Sequence, residues 1–562
     1  MIETIKFENY KAFRTGELPI KPITILLGPN SSGKSSLLNL LLLLHQSMES
    51  PAIGRAFKFN GNFASFGEAL NVVRKRDATT PFELTFKISP VPAINYSWYR
   101  SIAQQILVAY SHNSPSHRQS DSFQFALGLF TKEIKTEQPL NDNRSLVEAL
   151  AKIVDEMSRD KKNERRRRAT SDKQRNIEEN LSQIAKTVDE TFSVNQVLDH
   201  LKDLFKILLA LPESASIDTL QYRFFYNKSS KNFEVSAVKL ISENRTLLAY
   251  SCRRENGRRG YDLSSELIDS QMLSTHRTAT GKMLNFAGMS PLPNRELFFG
   301  LTLPKNAVAS LFCNMISLGC NAVTKDFGDE KINHVSPLRA FPQRYYLIDQ
   351  SHNRNSLNTR DGDSLADILK RKSDVRDQVN KWMRRFKLVI EVEDVKEIIH
   401  SIRVRQNGLE LDLTDVGFGI SQVLPVIVQG FLAAEKSITL IEQPEIHLHP
   451  KMQADIADLA IDIVNSKDRR LIIETHSEYL LKRLRRRIAE GEIRAEDVAI
   501  CLIHGSDSPN GASRIESIPI TELGSFPWPK DFSETELDDT IAFAKLQVLS
   551  ESDDSDEIDA EK

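Results

Sequence analysis

The chain has 562 residues, too many for one ordinary domain; at ~150 residues per domain it holds three or four, or one large α/β head with insertions. Hydrophobic residues make up 40% and charged residues 27%, a globular composition with ample apolar material for a core. The formal net charge of −2 excludes a polycation that coats nucleic acid indiscriminately, while local basic patches stay open.

In chain order, MIETIKFENYKAF carries charges throughout, so a secretory signal is not expected. Residues 2–7 alternate as a strand does, and 23–27 form a short continuous apolar run, as a strand buried on both faces requires. A Gly-rich loop and an apolar helix over 35–48 follow. The apolar run 37–44 is far below the ~18 residues that span a bilayer. A soluble, cytoplasmic protein with no membrane association is expected. Residues 82–88 predict a strand, and 102–211 are mostly helical in pattern. That stretch includes a charged run at 159–175 with four consecutive arginines at 165–168. Strands return at 222–225, 233–240 and 246–251. RRENGRRG at 253–260 predicts a charged hairpin or loop. Residues 296–318 are apolar and partly helical in pattern. The last third alternates: strands at 388–392 and 399–405, a helix at 421–434, a strand at 437–441, a helix at 452–465, a strand at 470–474 and a helix at 478–489. Alternating β and α predicts a largely parallel sheet with helices on its faces. From Glu551 the tail holds seven acids in twelve residues and no aromatic, the composition of a disordered segment. Cys252, Cys313, Cys320 and Cys501 are scattered, so neither a zinc site nor a disulfide framework is expected.

Gly28-Pro29-Asn30-Ser31-Ser32-Gly33-Lys34-Ser35 matches G-x-x-x-x-G-K-[ST] in full, with a strand before it and a helix after it. Glycines let the backbone curl so that N–H groups, here from Asn30 to Ser36, point at phosphate oxygens. The helix N-terminus adds partial positive charge. Lys34 suits the β- and γ-phosphates of ATP, and the Ser35 hydroxyl suits Mg²⁺. Such a site also needs an acid at a strand end to hold the metal's water, and SITLIEQPE supplies Glu442. Thirty-four residues on, LIIETHS is another strand, ending towards His476.

These segments, with SPLRAFPQRYY at 336–346 and DVGFGISQVLPVIVQG at 415–430, resemble the ABC-type ATPase heads of the SMC and recombination-repair group. Within it the chain is most similar to OLD-like ATPases, including the ATPase subunits of Septu and retron antiphage systems. The resemblance implies an α/β, P-loop ATPase head in two lobes with a largely helical insertion. Residues 1–100 would be the N-terminal part of the core, 101–330 the insertion, 331–545 the C-terminal part and 546–562 a disordered tail. It implies that Gly417, Gly419 and Ser421 belong to a motif meeting the nucleotide of a partner head in a head-to-head dimer. The family's usual serine position falls on Gly417, while Ser421 adjoins Gln422. His476 corresponds to the γ-phosphate sensor. Gln443 stands where typical relatives carry the Glu that polarises water. An amide can orient water but cannot take its proton; Glu445 can act as base if the loop bends; otherwise hydrolysis is slow and ATP clamps. The resemblance implies a regulatory ATPase with a partner nuclease of HNH type, and a reverse transcriptase with an RNA–DNA hybrid where retron-linked. A DNA-repair or DNA-end-binding ATPase and a non-hydrolysing scaffold are the alternatives. The basic run at 159–175 reads as a solvated helix face or hinge before it reads as a DNA contact.

Overall fold

The computed structural model describes residues 1–94, 96–113, 120–136, 143–166, 194–212, 215–255, 258–292, 306–347, 357, 364–396, 398–506, 511–528, 541 and 543. The chain forms two compact units. One comprises Met1–Asn9, Gln46–Gly61 and Phe66–Asp326; the other comprises Tyr10–His45, Asn62–Ser65 and Phe327–Lys562. The acidic tail and most of the basic run at 159–175 lie outside the described residues.

The first unit is built on an antiparallel sheet. Strands Ile2–Tyr10, Phe82–Pro92, Ser216–Asn227, Asn232–Ser242, Arg245–Glu255 and Arg258–Ser264 follow one another across it. Its strands alternate, so one face collects the apolar side chains. Phe82, Leu84 and Phe86 are fully buried, and Phe57, Phe82, Phe224 and Phe233 pack with ring centroids 4.7–6.5 Å apart. Helices Tyr96–Asn113, Asp121–Thr136, Asn143–Arg166 and Val194–Ala210 account for nearly all the described residues of the stretch expected to be helical. The run 253–260, expected as a charged hairpin or loop, has hairpin pairing: Arg253, Arg254 and Glu255 pair antiparallel with Gly260, Arg259 and Arg258 on either side of residues 256–257.

Helix Ala307–Thr324 lies largely within the run 296–318 expected to be apolar and partly helical. With its last turn to Phe327 it is long and apolar enough to cross a membrane, the one such helix among the described residues, yet 83% of its apolar window is buried inside the protein. Its apolarity is spread over Ala, Val, Leu, Cys and Gly around the whole helix rather than massed in one leucine run, which is how a core helix buried on all sides reads.

The second unit is built on a parallel sheet. Its strands run Ile332–Val335, Ile438–Glu442, Arg470–Glu474, Ile23–Leu27, Val498–His504 and Arg514–Ile518, all parallel except the last. Every residue of Ile23–Leu27 is buried, because helices cover both faces of such a sheet. Strands Ile332–Val335 and Val498–His504 carry no polar alternation and went unread in the sequence. Helices Lys34–Glu49, Phe418–Leu432, Pro450–Lys467 and Glu478–Ala489 complete this unit, and Ser477 caps the last by accepting from Leu480 N–H. A smaller antiparallel sheet holds Tyr346–Leu347, Leu388–Lys396, Ile399–Gln406 and Leu409–Asp412. The four cysteines are free, and burial pushes the Cys320 and Cys501 thiols up to about 12.

Candidate nucleotide site

The site lies wholly in the parallel unit, at the carboxyl ends of the central strands. Strand Ile23–Leu27 leaves the sheet at Gly28, whose φ of 141° and packing both demand glycine: a Cβ there would stand 2.3 Å from the Ile503 carbonyl oxygen. Gly33, with φ 119°, meets the Phe13 ring at 2.7 Å in the same test. The loop therefore has one shape, fixed from behind. Tyr10 Oη donates to the Ser36 carbonyl at 2.8 Å and ties down the first turn of the helix. Lys34 is 4% exposed, and its Nζ donates to the Gly28 and Pro29 carbonyls, both at 2.9 Å. Burial lowers its pKa, with the charges of Glu474 and Glu445 opposing. Asn30, Ser31 and Ser35 stand exposed around it.

The strand beside the phosphate loop is Arg470–Glu474, and Glu442 sits one strand further out, in register with Glu474. The acid that touches the loop is thus Glu474. Its Oε2 accepts from Ser35 Oγ at 3.2 Å and its Oε1 lies 3.9 Å from Lys34 Nζ. Burial raises the Glu474 pKa against the pull of Lys34. Glu442 Oε1 is hydrogen-bonded to His334 Nε2 at 2.7 Å.

After Glu442 the chain bends sharply. Gln443 takes a left-handed φ of 45°, its N–H donating to the Glu474 carbonyl at 2.8 Å. The bend brings Glu445 back to the site, where its Oε1 accepts from His476 N–H at 2.6 Å. Glu445 is buried, its Oε2 has no hydrogen-bond partner among the described residues, and burial raises its pKa against that N–H. His476 is lowered, first by desolvation and then by the Lys34 charge, which favours neutral imidazole.

Arg339, 6% exposed, ties the segments together. One amino group donates to the Glu442 and Gln443 carbonyls at 2.9 and 3.2 Å, the other to the Gln422 carbonyl at 3.3 Å. Burial pushes its pKa down to about 10, Glu445 and Glu442 opposing, so it is cationic at neutral pH.

Gly417 is exposed at the N-terminus of helix Phe418–Leu432, with open space around a would-be Cβ. Gly419 packs against the bent loop: a Cβ there would lie 2.9 Å from the His447 carbonyl oxygen. Ser421 is inside the helix and only 3% exposed, so of the two alternatives only the Gly417 position faces solvent.

Sequence reasoning took Glu474 for part of a strand and gave no role to Arg339 or His334. The signal for Glu474 was a carboxylate directly after the apolar run Leu471-Ile472-Ile473. Together these residues form a curled backbone with one buried ammonium, one hydroxyl and three carboxylates, a donor set that fits a triphosphate with a divalent ion. Among the described residues no three side chains converge to hold a metal alone, so phosphate oxygens and water must complete the shell of any ion here.

A model of the AAA ATPase domain matches residues 1–246 and 325–481, which include every residue of this site. No curated protein matches. Similar solved structures include an SmcHead bound to the C-winged helix domain of ScpA, 10% identical over 93% of this chain and 98% of that one, with a TM-score of 0.34. The SMC head domain from Thermotoga maritima is 8% identical over 92% and 99%, with a TM-score of 0.31. An Smc head domain with an extended coiled coil bound to the C-terminal domain of ScpA, from Pyrococcus furiosus, is 10% identical over 92% and 96%, with a TM-score of 0.30.

Proposed function

The chain belongs to the AAA ATPase domain family, and on that premise we propose that it binds and hydrolyses ATP with Mg²⁺ and thereby regulates a partner nuclease of HNH type in an antiphage complex. The carrying observation is the bend at Gln443, which sets the buried Glu445 carboxylate beside His476. In this reading Lys34 and the N–H groups from Asn30 to Ser36 hold the phosphates, and Ser35 and Glu442 hold the metal, Glu474 steadying Ser35. Mg²⁺ supplies charge neutralisation on the phosphates when bound. Glu445 takes the proton of the attacking water at Oε2, and His476, neutral, senses the γ-phosphate. Gln443 serves as a hinge rather than a base. Gly417 and Gly419 face the nucleotide of a second head, with residues 1–100 and 331–545 as the core and 101–330 as an insertion. The antiphage assignment, the nuclease and a retron-linked reverse transcriptase rest on the resemblance of the motif segments.

Phosphate release by Glu445→Gln tests the chemistry: an unchanged rate would show that Glu445 is not the base, and no release by the parent would reduce the protein to a nucleotide clamp. Gly417→Glu tests the dimer better than Gly419→Glu, which would clash with His447 within its own subunit. It should bind ATP yet fail to assemble on ATP in light scattering. Purification with its chromosomal neighbours, followed by mass measurement, tests the partner. ATPase activity stimulated by DNA with no partner present would favour direct action on DNA instead.

A further inference from the structure

A cavity of about 460 Å³ opens on the antiparallel unit and is lined only by that unit's residues. Its size falls within the range of small-molecule sites. Three features set its chemistry.

The first is a bulge. Strands Ser216–Asn227 and Asn232–Ser242 slip in register between Arg223 and Phe224, leaving Ser236 unmatched, and Ser236 Oγ donates to the Arg223 carbonyl at 3.0 Å. Bulges of this kind re-aim side chains beside binding sites. The bulged strand changes its buried phase, from Phe233 to Val238 and Leu240, while its partner keeps strict alternation there, with Phe224 buried in the core and Phe225, 53% exposed, at the cavity. Tyr226, Tyr250 and Phe286 also line it, the last two 6.3 Å apart between centroids.

The second is charge. Arg55, Arg223, Arg253 and Arg259 line the cavity, with Glu234 the one acid among the described lining residues. Glu234 accepts from Asn227 Nδ2 at 2.6 Å, and Arg223 is committed to Glu83 at 2.7 Å. Arg55, Arg253 and Arg259 stand exposed.

The third is rigidity. The turn carrying Arg55 is pinned on both sides, Gly54 N–H to the Phe286 carbonyl at 3.2 Å and Ala56 N–H to the Phe233 carbonyl. The opposite rim, Thr79 and Thr80, is held by Asp77, whose carboxylate accepts from Thr79 N–H at 2.8 Å and from both hydroxyls at 2.6 Å. A preformed aromatic wall with surplus guanidinium groups matches a π-face joined to phosphate.

We propose that this cavity binds a nucleobase carrying phosphate, supplied either as a free nucleotide or within a single-stranded nucleic acid. The inference is independent of the function proposed above, since none of these residues belongs to the phosphate-loop site.

The test uses the full chain with Lys34→Ala, so that the phosphate loop does not compete. One arm titrates AMP by calorimetry; the other titrates a fluorescein-labelled 20-nucleotide oligo-dT by anisotropy across a salt series. Binding in either arm is expected to weaken about tenfold or more on Arg253→Ala/Arg259→Ala and on Phe225→Ala. For the oligonucleotide the salt slope should fall by about one per arginine removed. Arg277→Ala, in the same unit but away from the cavity, should change nothing, and unchanged thermal unfolding certifies each variant's fold. Binding in the AMP arm alone assigns a free nucleotide, and binding in the oligonucleotide arm assigns a single strand. No binding in either arm, or binding indifferent to both the arginine and the Phe225 changes, overturns the proposal.

Discussion

The two sheets place their chemistry by opposite rules. In the parallel sheet Ile23–Leu27, Ile438–Glu442 and Arg470–Glu474 are buried along nearly their whole length, and the carboxylates of the latter two stand only at their ends, so function gathers there. In the antiparallel sheet one face is committed to Phe82, Phe224 and Phe233 and the other carries Arg223 and Phe225, so function spreads over a face. A strand buried on both sides can afford polar groups only where it stops. A strand buried on one side presents a polar position at every second residue.

The largest expected effect sharpens this contrast at a strand end. Glu445→Gln keeps the volume and the contact to His476 N–H but removes the proton acceptor, and turnover should fall about 10²–10⁴-fold with ATP binding retained. Because burial raises the Glu445 pKa, the parent's activity should decline as pH falls, beginning above the ordinary carboxylate range, and the variant should lack that limb; phosphate release across pH 5 to 9 reads both. Next, core truncation should not tell the sheets apart. Phe224→Ala and Ile25→Ala should cost about 3–5 and about 2–4 kcal/mol in urea unfolding, since both side chains are fully enclosed whatever the sheet type. A cost below about 1 kcal/mol at either would break the symmetry of the two cores. Lys34→Ala removes one charge-assisted donor and should weaken ATP by at least about tenfold in calorimetry, roughly 1.5–3 kcal/mol.

The smallest effect concerns stability against pH. The folded pKa of Glu474 lies above its unfolded value because it is buried, so the native state holds the proton more tightly and this contribution to stability is lost as pH rises through the folded pKa. Glu474→Gln should therefore raise the melting temperature at pH 8 more than at pH 5. Equal shifts at both pH values would show that Lys34 and Ser35 fully compensate the buried carboxylate.

The phosphate loop was legible because its function demands particular residues in consecutive order: Gly28 and Gly33 for packing and φ, Lys34 and Ser35 for charge and hydroxyl. The alternating pattern after residue 388 was legible for the same local reason, and strand Arg470–Glu474 has the bounds its pattern predicts. What could not be read was reach. Arg339 acts on three carbonyls about 80 and 100 residues away, a relation with no spacing to recognise. The order of strands also hid Glu474, because which strand neighbours the loop is decided by crossover connections and not by chain order. Ser421 looked like a ligand by type, and helical phase turned it inward.

The sheet order also sets a timetable. Strand Ile23–Leu27 takes its two neighbours from Arg470–Glu474 and Val498–His504. At roughly 5–20 residues per second, a ribosome needs on the order of half a minute or more to deliver the first of them. Throughout that interval the five residues of this strand, four of them apolar, have no partner on either side. The antiparallel unit has no such wait, for helix Ala307–Thr324 packs on strands and helices that all precede it in synthesis. The nucleotide site therefore cannot assemble until Arg470–Glu474 and His476 have been made.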